Sequence, residues 1–591
     1  LSVDGGTIKL DGNYPTGTNN VGLGDNVLSA LTSGANNTGV GRNALDAVTS
    51  GEHNIGIGSG AVSEVTTANQ NVGVGGSALN ANVTGSNNTA VGHATLTVNT
   101  TSNNTAIGHR AGEANTTGGN NVFVGKEAGL ANTTGTSNVA VGRDALVSNT
   151  TASYTTAVGY QALASNTTVS NNTAVGYKSG YANTAGDNTS VGFLSLEKNT
   201  SGNFNTSLGS RALQENTTGT DNVAVGYNAL YSNSTSDSNT AIGSHALYAN
   251  TGESNTALGR QALRFNTTAS NNVAVGYQAG FSNTTGTQQV TIGRQAMYST
   301  TTGNQNTAVG QRALYDNSTG SYNTAIGFHS LYESTTASSN TAVGYQAGLD
   351  LTTGTVNTFI GGLSGSNVTT GKFNTILGYQ AGLNLTTGSN NTFVGGGTFG
   401  ISSGAGADMT TGSQNVILGA FGGNQGGLDI RTSDNNIVLS DGSGNPRLRI
   451  SSAPALSCIA VYNFPVAGRD VYVDSNGTIG YLSSVREAKT NIANLTDASW
   501  LLQLSPKTFN YRTKDADNNY TEEAESEQYY GLIADEVETV NSDLCFYNEV
   551  DGQQELAGVS YSKMITPMLK LIQEQQTTIT ALEARLSALE N

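Results

Sequence analysis

Charge is scarce in this chain. Only 11% of its 591 residues are Asp, Glu, Lys or Arg, against about 25% in ordinary globular proteins. Cysteine is rarer still: Cys458 and Cys545 are the only two, too few for a disulfide framework. There is 1 Trp, and there are 6 Pro and 5 His. Four of the histidines, His93, His109, His245 and His329, fall at irregular separations. A metal needs three or four ligands converging on one point, so neither a metal nor a cofactor is expected. No basic stripe exists to meet a phosphate backbone, which excludes nucleic acid as a partner. No apolar run reaches the length of about 18 residues needed to cross a bilayer, so membrane insertion is not expected. The chain opens at Leu1 without a signal peptide, as expected of a processed form or a fragment lacking an N-terminal attachment segment.

What charge there is lies unevenly. The net charge is −17, and residues 484–591 hold 18 acidic and 8 basic residues. Most of the imbalance therefore sits in the last part of the chain, which marks a domain boundary.

Ahead of that boundary the sequence repeats. Gly24, Gly41, Gly58, Gly75 and Gly92 begin a series of 24 glycines, most of them closing an "xVG" or "xIG" phrase, that ends at Gly419. The spacing is 17 except for three gaps of 16 and a last gap of 24. The consensus reads N-T-A-V-G-Y-Q-A-L-x-x-N-T-T-G-x-x. Seventeen residues are too few for a helical repeat and suit one coil of a β-solenoid. "TAVG" alternates as a strand does, and the Asn/Gly corners tolerate positive φ. Stacked coils would place Asn over Asn and Thr over Thr, in hydrogen-bonded ladders. At about 4.8 Å per strand, the stack would be a rod on the order of 110 Å long.

One compensation argues against disorder. Four residues past the glycine stands Leu in many coils (Leu163, Leu213, Leu230, Leu247, Leu263, Leu314, Leu331). Where that residue is Gly, the next is usually large, as at Leu130, Tyr181, Phe281, Leu349 and Leu383; Glu113 breaks the rule. The expectation is one bulky core group per coil, shifted by one position. So thin a core predicts lateral association of identical chains.

Candidate binding residues are the tyrosines that follow the glycine: Tyr160, Tyr177, Tyr227, Tyr277, Tyr345 and Tyr379. They are either platforms for sugar rings or covers for strand edges and subunit contacts. The 24-residue gap holds "GGTFGISSGAGADMTTG", seven residues more than a coil, and so a loop. A loop on a rigid scaffold often binds, which adds Phe399. The many N-x-T/S triplets follow from the Asn-Thr corner itself.

Past residue 420 the period stops. Residues 426–450 alternate apolar and polar around an NPR turn, and 469–482 read as a hairpin at Ser475-Asn476-Gly477. Together they predict a small antiparallel cap, closing a rung that would otherwise invite edge pairing. The tail ends in a heptad seam of Ile565, Met568, Ile572, Gln575, Ile579, Leu582, Leu586 and Leu589. Gln575 is its one polar rung, and Pro567 lies near the helix start, where it is tolerated.

The repeats at 20–419 resemble the head repeats of trimeric autotransporter adhesins and the "NTAVGxxAL" shafts of phage tail fibres, notably those of marine and cyanobacterial phages. The tail combines "SVREAKTNI" from Ser484, "YYGLIADEVE" at 529–538 and the terminal helix. It resembles the S74 peptidase-type intramolecular chaperone of endosialidases and phage fibres. That resemblance implies a trimer and a single self-cleavage between Ser483 and Ser484. Ser484 would be the nucleophile and Lys489 its base, since a neighbouring amine can take the proton of a weak nucleophile. The family's usual Asp after the serine is Val485 here. No turnover enzyme is implied.

The expected fold is mainly β. A connector (1–19) precedes a parallel β-solenoid or β-roll homotrimeric shaft (20–419) and a small antiparallel β cap (420–483). An α+β chaperone (484–591) follows, ending in a trimeric coiled coil (562–591). The expected function is a virion tail fibre, exposed outside the host cell. Its partners would be two further copies of itself, other tail or baseplate proteins, and a host-surface glycan or protein. A bacterial trimeric adhesin, a structural spacer and a glycan-degrading tailspike are the alternatives. The tailspike would need paired carboxylates in a groove, and the shaft offers no evident pair.

Overall fold

The computed structural model describes residues 8–9, 17–397, 404–451, 456–458, 472–473, 479–480, 493–514, 520–524, 526–550 and 553–590. The chain forms two units, Leu1–Phe464 and Pro465–Asn591.

The first unit is a β-solenoid. Twenty-four strands of three residues, from Val21–Leu23 to Val416–Leu418, stack in parallel. They pair residue for residue, as in Thr156↔Thr173, Ala157↔Ala174 and Val158↔Val175. One more parallel rung follows at Ile437–Ser440, on Val416–Leu418. There the chain turns antiparallel through Pro446–Ile450 and Leu456–Cys458. At the other end Ile8–Lys9 pairs antiparallel with the first rung. Both ends of the stack thus carry a strand of opposite direction, which breaks the repeating edge. Tyr472–Val473 pairs antiparallel with Ile479–Gly480, flanking the predicted hairpin turn.

The local reason for the coil lies at its glycine. Every closing glycine has φ between 102° and 152°, which a side chain rarely adopts. Space forbids one as well: a Cβ on Gly226 would lie 2.8 Å from the Gly243 carbonyl carbon of the next coil. Three further positions are left-handed despite carrying side chains, as at Gln161 (φ 55°), Leu163 (φ 49°) and Asn171 (φ 65°). They bend the chain back so that it closes in seventeen residues.

The core corrects the expected compensation. Leu130, Tyr181, Phe281, Leu349 and Leu383 do not refill it; they are only half-buried, on the outer turn. The balance is struck with the next coil. Gly112, Gly180, Gly280, Gly348, Gly365 and Gly382 stand where other coils have Leu. The strand centres that follow them are Phe123, Ser190, Thr291, Phe359, Ile376 and Phe393. After Leu, Val or Met at that position the centre is Gly or Ala, apart from Ser207. A Cβ on Gly348 would sit 2.6 Å from the Phe359 ring. Gly129, though followed by Ala140, lies against Phe123, whose ring atoms would be 2.4 Å from its Cβ.

Two asparagine ladders line the interior. In the first, the Asn323 backbone N–H donates to Asn306 Oδ1 (2.9 Å) and its Nδ2 to the Ala337 carbonyl (2.8 Å). Its own Oδ1 accepts from Asn340 N–H (3.0 Å). In the second, Asn132 Nδ2 donates to Asn115 Oδ1 (2.6 Å) and to the Gly135 carbonyl three residues on (3.0 Å). The second ladder gives way to buried Leu31, Val48 and Val65 near one end, and to Leu351, Val368, Leu385 and Met409 near the other. The 16-residue coils each lose their residue at one corner. There the bond closes two residues on instead of three: Asn99 to Thr101 (2.7 Å), Asn183 to Ala185 (2.9 Å) and Asn250 to Gly252 (2.7 Å). The long coil resumes at Gly404, and Ala405 N–H donates to the Gly395 carbonyl (2.8 Å).

The second unit, to which the pair at 472–473/479–480 also belongs, has helices α1 (Ala534–Val540) and α2 (Ile565–Glu590) beside three further two-stranded antiparallel pairs, at 507–509/529–531, 512–514/520–524 and 545–550/553–559. Its core is small: Val537, Leu544, Cys545 and Met564 are buried, with Trp500, Leu504 and Leu532 against them.

Candidate functional site

The outer face of the stacked strands carries one row that never varies in kind. The third strand residue is Val, Ile or Leu in all 25 rungs, from Leu23 to Leu439, and the first is Val, Ile or Thr. The centre residue of each rung points inward. The Leu and Ile members of the outer row are 37–48% exposed, Leu208 and Leu258 among them. Soluble monomers rarely leave contiguous apolar patches above a few hundred Å² open, and larger ones commonly serve as interaction surfaces. Sequence reading passed over it because alternation was credited to one core face alone. The signal was there: no Asn, Ser or Gly ever replaces that residue in an otherwise polar repeat.

The predicted tyrosines fall in a column just past the closing glycine, and their rings stack on one another or on cations. Tyr160–Tyr177 and Tyr177–Phe193 have centroids 5.4 and 5.3 Å apart, both 16° from parallel. Arg143 lies 5.6 Å over Tyr160 and Arg260 5.7 Å over Tyr277. Tyr345 stacks on Phe328 at 5.6 Å, and Tyr227 meets His245 edge-on at 5.2 Å. Tyr379 is also in contact with its surroundings. A sugar needs an open ring face, and within a stack the faces cover each other, so face-on binding fits only at column ends. Phe399 lies outside the described residues.

A second column, missed from sequence, stands five residues past the glycine. Phe281, Tyr298, Tyr315 and Tyr332 stack at 4.9, 5.2 and 5.1 Å, within 8° of parallel. Tyr231 and Tyr248 stack at 5.3 Å. Arg264 bridges the two groups, 6.0 Å over Tyr248 and 5.9 Å over Phe281. His245 and His329 flank this column. Burial, then Arg264 and Arg260, pushes His245 below the usual histidine range, and burial, then Arg312, does the same to His329. On three successive coils, burial raises Asp316, Glu333 and Asp350, with Asp350 and Asp316 adding to the shift of Glu333. His93 stacks on His109 at 5.7 Å.

In the second unit, Ile565, Met568, Ile572, Ile579, Leu582, Leu586 and Leu589 all lie on α2 and are 47–83% exposed. Gln575 lies on the same helix. A cavity of about 490 Å³ opens beside its first turns, lined by Leu504, Tyr530, Leu532, Met564, Met568 and Ile572. Around it the fold is pinned by polar bonds. The Tyr561 hydroxyl accepts from Leu532 N–H (2.7 Å), Lys563 Nζ donates to the Asp543 carbonyl (2.8 Å), and the Tyr547 hydroxyl donates to Glu538 Oε1 (2.6 Å). That last bond pushes the Tyr547 hydroxyl up to about 12. Burial, then Glu538, raises the Cys545 thiol. Ser484, Val485 and Lys489 lie outside the described residues.

No curated protein and no solved structure matches the chain. Residues 484–546 match the family model of the S74 peptidases, described as the chaperone of endosialidase. The match opens at the serine singled out above and takes in α1. The chain therefore joins a long β-solenoid to a C-terminal domain of the endosialidase-chaperone type.

Proposed function

We propose that this chain is one of three identical subunits of a viral tail fibre, exposed on the virion, whose solenoid shaft mediates attachment to the host surface. The C-terminal domain assembles the trimer in register and then cuts itself off between Ser483 and Ser484. The observation that carries this reading is the aliphatic stripe, repeated on every rung and left uncovered in a single chain. Burial against sister chains would remove it from water. The uncovered seam of α2 and the apolar cavity beside it offer the same kind of surface, there for a sister helix. Tail or baseplate proteins would be the fibre's further partners.

Two measurements test this. Sedimentation of the full chain should give a trimer, and Val225→Asp with Ile242→Asp should yield monomer or aggregate; a monodisperse monomeric wild type would end the proposal. On a denaturing gel, wild type should run as a shaft fragment and Ser484→Ala as the full chain. Full-length bands in both would leave an uncut trimerisation domain in place of a self-cleaving one.

A further inference from the structure

Residues 254–315 contain four arginines, Arg260, Arg264, Arg294 and Arg312, and no Asp, Glu or Lys. In a chain of net charge −17 this is an island of positive charge. Elsewhere along the shaft several cations have carboxylate partners: Arg110 with Glu113 at 2.5 Å, Arg143 with Asp144 at 3.4 Å, Lys198 with Glu215 at 2.7 Å. The four arginines here have none among the described residues.

Aromatic rings hold three of them instead. Arg260 lies over Tyr277, and Arg264 between Tyr248 and Phe281 with Phe265 at 5.1 Å. Arg312 is 5.5 Å from Tyr315, and its Nε donates to Gln295 Oε1 at 3.1 Å. Gln295, Gln278 and Gln261 continue that row by amide bonds of 3.0 and 2.9 Å. The Arg264 Nε is buried without a hydrogen-bond partner. A guanidinium stacked on a ring keeps its planar edge free for a carboxylate or sulfate, and its orientation is set in advance. All four arginines stand one, two or five residues past a closing glycine, and so on the same turn of the coil. Arg260 and Arg264 share a coil, Arg294 is two coils on, and Arg312 one further. At about 4.8 Å per coil the row is on the order of 15 Å long.

We infer that this turn, on the coils closed by Gly259 to Gly310, is a binding site for an anionic polysaccharide lying along the shaft, with a carboxylate or sulfate on its sugars. A linear polymer with regularly spaced anions matches charges set one and two coils apart. Tyr hydroxyls and Gln amides between the arginines supply the neutral donors and acceptors that sugar hydroxyls take. Four charges are few for a duplex nucleic acid, whose binding rests on neutralising many phosphates. The inference rests on the attachment reading and names the chemistry of its ligand.

The test measures fluorescence anisotropy of labelled polygalacturonate, dextran sulfate and neutral dextran of matched length against the assembled wild-type fibre. Binding of one or both charged polymers, weakened by salt, and none of neutral dextran is expected. Polygalacturonate against dextran sulfate tells carboxylate from sulfate. Exposed Arg260 and Arg294 replaced together by Ala should weaken binding by roughly tenfold or more, as loss of two charge-assisted contacts implies. Arg143→Ala, outside the island, should leave it unchanged. Circular dichroism and sedimentation check that each variant is assembled. No binding of either charged polymer, equal binding by the Arg260/Arg294 variant, or equally tight binding of a DNA duplex would each overturn the inference. Adsorption of fibre to host cells, measured alongside, separates the two readings: adsorption that survives the double replacement leaves attachment standing and places the receptor site elsewhere.

Discussion

At the scale of the residue, the shaft is governed by which coil a side chain fills. Leu at the fourth position and Ala at the next strand centre occupy the same space as Gly followed by Phe. Gly348→Leu should therefore destabilise the wild type, where its Cβ alone would lie 2.6 Å from the Phe359 ring, by about 1–3 kcal/mol, as overpacking does. The backbone is not the obstacle, because Leu331 holds the equivalent conformation at φ 49°. Phe359→Ala should cost about 3–5 kcal/mol through its cavity. In that background Gly348→Leu should change sign and stabilise, a coupling that denaturant unfolding of the four variants reads directly. Two independent losses that simply add would sink the pairing. The exchange of Leu for Gly was visible in the sequence, but its partner was not. Gly348 and Phe359 are eleven residues apart and belong to successive coils, so a reading of one coil at a time sought the missing volume beside the glycine. The closing glycines were legible because no other residue tolerates both their φ and the carbonyl stacked on them.

At the scale of the element, the two asparagine ladders differ in what they alone satisfy. The first caps a buried backbone N–H and a buried corner carbonyl in each coil. Asn323→Ala should leave the Asn340 N–H and the Ala337 carbonyl unpaired, at about 1–3 kcal/mol for each. The corner carbonyl that the second ladder bonds is already served by the first: the Gly135 carbonyl accepts from Asn121 at 2.9 Å as well as from Asn132. That redundancy explains why Leu and Val replace the second ladder near its ends. Asn317, between Thr300 and Ser334 in that row, already has an unpartnered Oδ1. Asn317→Leu should accordingly leave the melting temperature nearly unchanged while Asn323→Ala lowers it. Stacked asparagines could be foreseen from the period; which row was dispensable could not, because redundancy depends on where each amide points. The hairpin that ends the stack makes a separate prediction. The backbone N–H of Asn445, then Arg447, bonds Asp441 and holds its carboxyl down at about 2, with Arg447 NH2 2.5 Å away. A carboxyl below its ordinary value stabilises the fold above that ordinary value, and the contribution is lost as pH falls toward the folded one. Thermal melts from pH 5 to 2 should show this loss in wild type, and a smaller one in Asp441→Asn.

At the scale of the whole molecule, periodicity announced the solenoid, and the uneven charge pointed to a second domain without placing its boundary, which falls at Phe464/Pro465. Subunit number is written in neither, since a 17-residue repeat satisfies its backbone within one chain and leaves only an aliphatic stripe to tell of others. The same repetition creates the assembly problem. In the proposed trimer, three identical stacks could meet displaced by whole coils, and each displacement would still lay Val, Ile or Leu against Val, Ile or Leu. Only the three shortened corners and the long coil distinguish one register from the next, and each shortened corner removes a single residue. Coarse contacts of that kind discriminate weakly, whereas a short heptad seam admits few alignments. On the proposed trimeric reading the helix would act before the shaft zips and become dispensable afterwards, when nearest-neighbour stacking and slow unfolding would hold the trimer. Ile579→Asp with Leu586→Asp, two exposed seam positions away from the cavity that Ile572 lines, should abolish recovery of trimeric shaft in sedimentation when present during expression. Removing the whole region from Ser484 onward by protease after assembly should leave sedimentation and melting of the shaft unchanged. Trimers of normal stability from the seam variant would show that the shaft finds its own register, and collapse after late removal would show that the helix is a permanent clasp.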